Sequence, residues 1–135
     1  MSDFDYPPST TVTLSDELDQ LQRRAEDGNE ANDTHIEALE WAINEFGADA
    51  TVCVQGMTTT KRDRTVDTAN RVTMGPLGAS ALRTWLVAAS ITEAPWLEGG
   101  EDLEEQQALL GALPPSVSDW LDAQVEDIND LSEGN

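Results

Sequence analysis

The chain has 135 residues, with 27 acidic side chains against seven basic ones and a net charge of −20. A chain of this length is expected to form one domain, and its longest apolar run, residues 85–91, is far shorter than the ~18 residues of a membrane span. The first ten residues, MSDFDYPPST, lack the basic and apolar regions of a secretory signal. We therefore expect a protein of the cytoplasm or of a larger assembly, without membrane contact.

The first half of the chain is predicted to contain an arm and two helices. Residues 1–12 are rich in proline, serine and threonine, so we predict a flexible N-terminal arm followed by a single helix-rich domain over 13–135. Leucines recur at helical spacing in 14–27, and apolar residues do so in 34–46, which ends before Gly47.

The second half is predicted to combine a short β element with further helices. Residues 48–56 alternate and are rich in β-branched side chains, so they are the best strand, and 71–74 are a candidate second strand. Further helices are predicted over 58–72, capped by one of the threonines, and over 75–91, 103–113 and the closing segment 112–133. The predicted fold is mostly α (an α-rich α+β domain), with about six helices and one short β-strand or hairpin.

The closing segment, ALPPSVSDWLDAQVEDINDLSE, is predicted to be an amphipathic core helix. Ser116 is its expected N-cap, after two prolines that end the preceding helix. An apolar stripe faces the core, and acids cover the rest of the surface. The stripe comprises Val117, Trp120, Leu121, Val125, Ile128 and Leu131.

Residue types that support catalysis or metal binding are scarce. Cys53 is the only cysteine, which excludes an internal disulfide and a cysteine-based metal cluster. His35 is the only histidine and stands early in a predicted helix, where we expect neither a catalytic base nor a metal ligand. The stretch DGNEAND lacks the glycine and third ligand of a calcium loop, and GPLGAS lacks the lysine of a phosphate loop. We predict no enzymatic activity, no cofactor and no metal.

The excess of acidic residues indicates a protein that works at high salt concentration. Lys61 is the only lysine, and a surplus of 20 negative charges repels itself at low salt but is screened at molar salt. Acid-rich, lysine-poor chains are expected from halophiles with a high-salt interior, and an acidic mimic of nucleic acid is the alternative.

The basic residues are concentrated in one region. Five of the seven lie between 61 and 83, where only Asp63 and Asp67 are acidic, whereas 84–135 contains no base. This region either meets an acidic partner or pairs with the acidic C-terminal half of the same chain. A DNA-reading helix over 60–72 is a further possibility, although the overall charge repels phosphate and disfavours nucleic acid. The candidate partner-binding residues are Lys61, Arg62, Arg64, Arg71, Trp96 and Trp120.

Three segments in order carry a family resemblance: TVCVQGMTTTKRDRTVDTA, ALRTWLVAASITEAPWL and LGALPPSVSDWLDAQVEDINDLSE. Together they resemble the tail-assembly chaperones of viruses with long tails, whose C-terminal half typically has a helix ending in proline and leucine, then a Leu-Pro pair, then a closing helix. The matching residues are Pro95, Leu97, Leu113, Pro114, Ile128, Leu131 and Ser132. The resemblance covers about residues 50–133. Glu133 stands where the family often has glycine, and this chain is much more acidic.

The resemblance implies a non-enzymatic chaperone in the cytoplasm of a halophilic archaeal host. Such a protein binds the tape-measure protein and aids polymerisation of tail-tube subunits, without normally remaining in the virion. A homo-oligomer is possible. The alternatives are a structural virion protein of the same kind of virus, in its neck or tail, and a small DNA-binding regulator.

Overall fold

The computed structural model describes residues 8–28, 33–74 and 78–133, with only the backbone described for 79–80 and 130–133. In chain order the elements are β1 (Ser9–Thr13), α1 (Leu14–Glu26), α2 (Asp33–Phe46), β2 (Thr51–Gln55), α3 (Thr59–Thr73), α4 (Ala79–Ser90), β3 (Ile91–Glu93), α5 (Leu103–Gly111) and α6 (Pro115–Glu133). The described chain is mostly helical with a small antiparallel sheet, which confirms the predicted α-rich α+β class.

The sheet has three strands in the order β1-β2-β3, both pairs antiparallel. Val52 and Val54 of β2 are completely buried. Thr51, the first residue of the strand, is exposed, and Cys53, between the two valines, is half-buried. Because successive side chains of a strand point to opposite faces, one face of the sheet packs on the core and the other is open.

The first strand corrects the prediction of an arm over 1–12. Residues 9–12 pair with β2 in a regular register, in which Thr11 lies opposite Cys53 and Val12 opposite Val52. Threonine and valine suit a pleated surface, but the pairing partner stands 40 residues further along the chain, so composition alone missed it. Residues 1–7 of the predicted arm lie outside the described residues.

The second predicted strand, 71–74, is also wrong. Helix α3 continues to Thr73 and ends at Met74, which adopts a left-handed conformation (φ 62°) and donates its N–H to the Arg71 carbonyl. The strand that pairs on the far side of β2 is Ile91–Glu93, placed by the sequence at the end of a helix and in a loop. Residues 75–77, the start of the helix predicted over 75–91, lie outside the described residues.

Helix α6 is the centre of the packing. It contacts α2, α4 and β2, and the part of its predicted apolar stripe that is described is buried: Val117, Trp120, Leu121, Val125 and Ile128. The side chain of Leu131 lies outside the described part. The helix begins at Pro115, so Ser116 is a helical residue and not the predicted cap, since proline is favoured at the first helical position.

Helix α3, which carries most of the basic residues, lies at the side of this core. It packs against α4 and α5. Only Thr65 and Ala69 of α3 are fully buried. The rest of the helix therefore borders solvent.

Candidate functional site

Helix α3 is held in place by its first turn and its buried side. The Thr58 side chain accepts a hydrogen bond from the Lys61 N–H at 3.1 Å, which confirms the predicted threonine cap. The buried Thr65 hydroxyl donates to the Lys61 carbonyl at 2.7 Å, so its polar atom is satisfied within the helix. These contacts begin the helix after Thr58 and satisfy the hydroxyl of Thr65, which faces the core together with Ala69.

Lys61 lies in a cleft between α3, α5 and the start of β3. The cleft has a volume of about 330 Å³ and is lined by Lys61, Thr65, Ala89, Ile91, Thr92, Leu103 and Gln106. Burial lowers the pKa of the Lys61 ammonium, and no described carboxylate lies within ion-pair distance of it. The one lysine of the chain is thus a half-buried cation beside apolar side chains, open to an acidic group from another molecule.

Three arginines of α3 are exposed. Arg62, Arg64 and Arg71 form no ion pair with any acid in the described ranges. Arg71 donates instead to the Thr68 hydroxyl at 3.3 Å. Arg64 and Arg71 are seven residues apart and so share a helix face, while Arg62 projects from a different side. The basic surface of α3, defined here by Lys61, Arg62, Arg64 and Arg71, therefore spreads around the helix.

One basic residue of the region 61–83 pairs with the acidic C-terminal half of the same chain, which was the intramolecular alternative. Arg83 of α4 forms an ion pair with Asp122 of α6 at 3.7 Å. The other described ion pair joins Arg23 and Asp19 on α1. Within the described chain, the acidic C-terminal half therefore pairs with Arg83 but leaves the arginines of α3 to solvent.

The two tryptophans predicted to contact a partner lie elsewhere. Trp120 is only 3% exposed and belongs to the core, so its ring is not part of the exposed surface. Trp96 is half-buried and packs on Phe46 with a centroid distance of 6.0 Å, and Phe46 contacts Trp41 edge-on at 5.8 Å. Trp96 therefore closes the end of α2 and is not part of the basic surface.

Exposed apolar side chains follow the basic residues at the C-terminal end of α3. Met74 is 91% exposed and Val72 is 41% exposed. Neither residue was predicted to be an exposed helix end, because 71–74 was a candidate strand. Met74 stands just after a run with helical composition and just before Gly75, a combination typical of a helix end. Flexible methionine on a surface suits adaptable protein contacts.

The described residues contain no group of three or more histidine, cysteine or acidic side chains placed to hold a metal ion. No helix within the described ranges is long and apolar enough to cross a membrane. Cys53 is a half-buried free thiol on the open face of the sheet.

Comparison with known proteins returned no match: no family model, no curated protein and no solved structure resembles the chain.

Proposed function

We propose that the protein is a non-enzymatic assembly chaperone of a long-tailed virus that infects a halophilic archaeon. In this proposal it binds the tape-measure protein, a very long helical client, and keeps it available while tail-tube subunits polymerise around it. It acts in the high-salt cytoplasm of the host and leaves before the virion is complete. The resemblance of three segments between about residues 50 and 133, in this order, to tail-assembly chaperones supports this role.

The observation that carries the proposal is the unpaired basic surface of α3. A chain with 27 acids has many carboxylates available, yet Arg62, Arg64 and Arg71 stay exposed without one among the described residues. Arginine at a surface favours contact with acidic groups of a partner and is enriched at protein interfaces. Acidic residues on a client helix are the groups that this surface would bind.

Apolar side chains beside the arginines support the same role. Val72 and Met74 lie next to Arg71 in the chain and are exposed. A helix that binds in a groove buries an apolar stripe and meets charges at its edges. The α3 end offers both kinds of contact over a short distance, whereas the charged residues of the chain as a whole are mostly acidic and favour solubility.

Co-expression tests the proposal. The tape-measure protein of the same virus is produced alone and with this chain, and its soluble fraction is measured in about 2 M KCl, where long-range charge repulsion is screened. We expect the client to be soluble only with the chain present and to co-purify with it. A client that is equally soluble alone, or that fails to co-purify, contradicts the proposal.

Purified virions separate the chaperone from the structural alternative. A chaperone is absent from the particle by mass spectrometry, whereas a neck or tail component is present in a fixed ratio to the tube protein. Finding the chain in such a ratio replaces the chaperone with the structural virion protein.

A DNA-binding regulator is the second candidate, because the same exposed arginines of α3 could contact phosphates. Phosphate contacts make affinity fall steeply with salt. Fluorescence anisotropy with duplex DNA between about 50 and 200 mM salt would show such a slope if α3 read DNA. Binding that is undetectable at low salt removes this candidate.

A further inference from the structure

Strand β1 forms one edge of the described sheet, with β2 on its inner side. The ladder between them extends at both ends, since the Gly56 N–H donates to the Pro8 carbonyl at 2.7 Å and the Leu14 N–H donates to the Ala50 carbonyl at 3.0 Å. In an antiparallel ladder, hydrogen-bonded pairs alternate with non-hydrogen-bonded pairs. The even-numbered residues of β1 therefore direct their backbone groups towards β2.

The odd-numbered residues direct theirs away from the sheet. The N–H and C=O of Ser9 and Thr11 point outward, and both residues are exposed, as is Thr10 between them. No strand in the described part of the chain lies on that side. The outer edge of β1 is thus a short row of backbone donors and acceptors open to solvent.

The two edges of the sheet differ in their protection. Strand β3 has three residues, a shifted register against β2 and a charged residue, Glu93, which are features that discourage pairing with another chain. Strand β1 has five residues, STTVT, with no charge and no register shift. It is composed mainly of β-branched side chains, which favour extended pairing. An acidic protein that leaves this edge uncharged has a surface suited to strand addition.

We propose that β1 pairs antiparallel with β1 of a second copy of this chain, which joins the two sheets into one of six strands. The strand is self-complementary in the register that places Thr11 opposite its own counterpart. Ser9 then lies opposite Thr13 of the second copy, so all three opposed pairs on the open face are hydroxyl residues. Cross-strand Thr–Thr and Thr–Ser pairs are favourable, and no like charges face each other.

A two-fold arrangement also closes on itself. Each copy uses the outer edge of β1 in the same way, so this pairing stops at a dimer and does not extend into a fibre. The contact is small and belongs to the weak, transient class of interfaces. Two copies with a net charge of −20 each repel at low salt, so association requires the screening found at molar salt.

Analytical ultracentrifugation of the full chain tests the proposal, between about 0.1 M and 2 M KCl at up to about 1 mM protein. We expect a monomer at low salt and a monomer–dimer equilibrium at high salt. Amide exchange measured by NMR locates the contact: Thr10 and Val12 are protected in both states, while Ser9 and Thr11 gain protection only in the dimer. A monomer under all conditions, or a dimer in which Ser9 and Thr11 exchange freely, overturns the proposal.

Substitutions at Thr11 separate edge pairing from folding. Thr11→Pro removes an outward N–H without touching the inner ladder, so the variant folds but associates at least tenfold more weakly. Thr11→Val keeps the N–H and is the control that still dimerises. If Thr11→Pro fails to fold, Thr11→Lys keeps the N–H and sets two lysines opposite each other, which weakens the dimer. Undiminished association of Thr11→Pro, or of Thr11→Lys, overturns the proposal. A full chain that binds a peptide of residues 8–13 but does not pair with a second copy of itself overturns it too.

Discussion

The side-chain oxygen of Asn129 on α6 accepts a hydrogen bond from the backbone N–H of Met57, 72 residues earlier, at 3.2 Å. Met57 belongs to the turn between β2 and α3, so this contact ties the last helix to the turn that starts the basic helix. The same oxygen lies near Gly56, where an added Cβ would approach it to 3.3 Å. The position of α3 therefore depends on a residue of α6.

We predict that Asn129→Ala lowers the free energy of unfolding by about 1–2 kcal/mol, because the partly buried Met57 N–H loses its acceptor. Urea denaturation measures the change. Asn70→Ala is the matched control, since Asn70 is exposed in the last turn of α3 and gains a similar helix propensity. Equal effects of the two substitutions would show that the Asn129 contact does not contribute.

Gly56→Ala is expected to destabilise the protein by about 1–3 kcal/mol, as overpacking does in a tight site. The new methyl group would lie 3.0 Å from Cδ and 3.1 Å from Cγ of Pro8, where the entry to β1 passes β2. Gly111→Ala meets no atom within 4 Å at the end of α5 and should stabilise by about 0.4–1 kcal/mol. Thermal melting of both variants checks the opposite signs, and a loss of stability in both contradicts the account.

Trp120→Ala should lower the free energy of unfolding by about 3–5 kcal/mol, because the ring is buried in the hydrophobic core around α6. Trp96→Ala removes a half-buried ring and should cost less. Chemical denaturation compares the two. A Trp120→Ala variant that is as stable as the parent chain but does not bind its client would show that Trp120 contributes to binding and not to stability.

Glu17→Gln is predicted to stabilise the protein near neutral pH by less than about 1 kcal/mol, since the half-buried carboxylate is still partly screened by solvent. Burial, followed by repulsion from Asp16 and Asp127, raises the pKa of Glu17 above its ordinary 4.5. The folded protein therefore holds this proton more tightly than the unfolded chain. The penalty is absent below pH 4.5, where both states are protonated, and grows as pH rises through the folded pKa.

Stability measured against pH distinguishes Glu17→Gln from the parent chain only above pH 4.5. The difference should shrink in about 1 M salt, because the two aspartates are then screened. Glu40→Gln, at an exposed position of α2, is the control. A constant difference from pH 3 to pH 7 would contradict the assignment.

The helices were predictable because their apolar periodicity is local, as in α2, and because the threonines at 58–60 offered a cap, which the structure assigns to Thr58. The edge strands were not, since Ser9–Thr13 and Ile91–Glu93 become strands only by pairing with β2. The loop after β3 contains Gly99 and Gly100, residue types typical of turns, and both have positive φ. The Glu101 carboxylate that accepts the Glu98 and Gly99 N–H groups there could not be read from spacing.

The candidate site shows the same division. The chain order placed Lys61, Arg62, Arg64 and Arg71 on one helix, which the structure has as α3. Whether acids neutralise them depends on tertiary packing. Arg83 meets Asp122, 39 residues away, while Arg64 meets no described acid.

The affinity of the chain for the tape-measure protein, measured in about 2 M KCl by isothermal titration calorimetry, tests the central claim most directly. The double variant Arg64→Gln, Arg71→Gln removes two exposed charges from α3. Arg23→Gln, Arg24→Gln removes two exposed charges from α1, with one exposed ion pair of little energetic weight. We predict that the α3 variant binds about two- to tenfold more weakly, because it loses guanidinium–carboxylate contacts at hydrogen-bond distance, which salt screens less than longer-range attraction, while the α1 variant binds like the parent chain. Equal affinities for all three proteins would contradict the assignment of α3 as the client-binding surface.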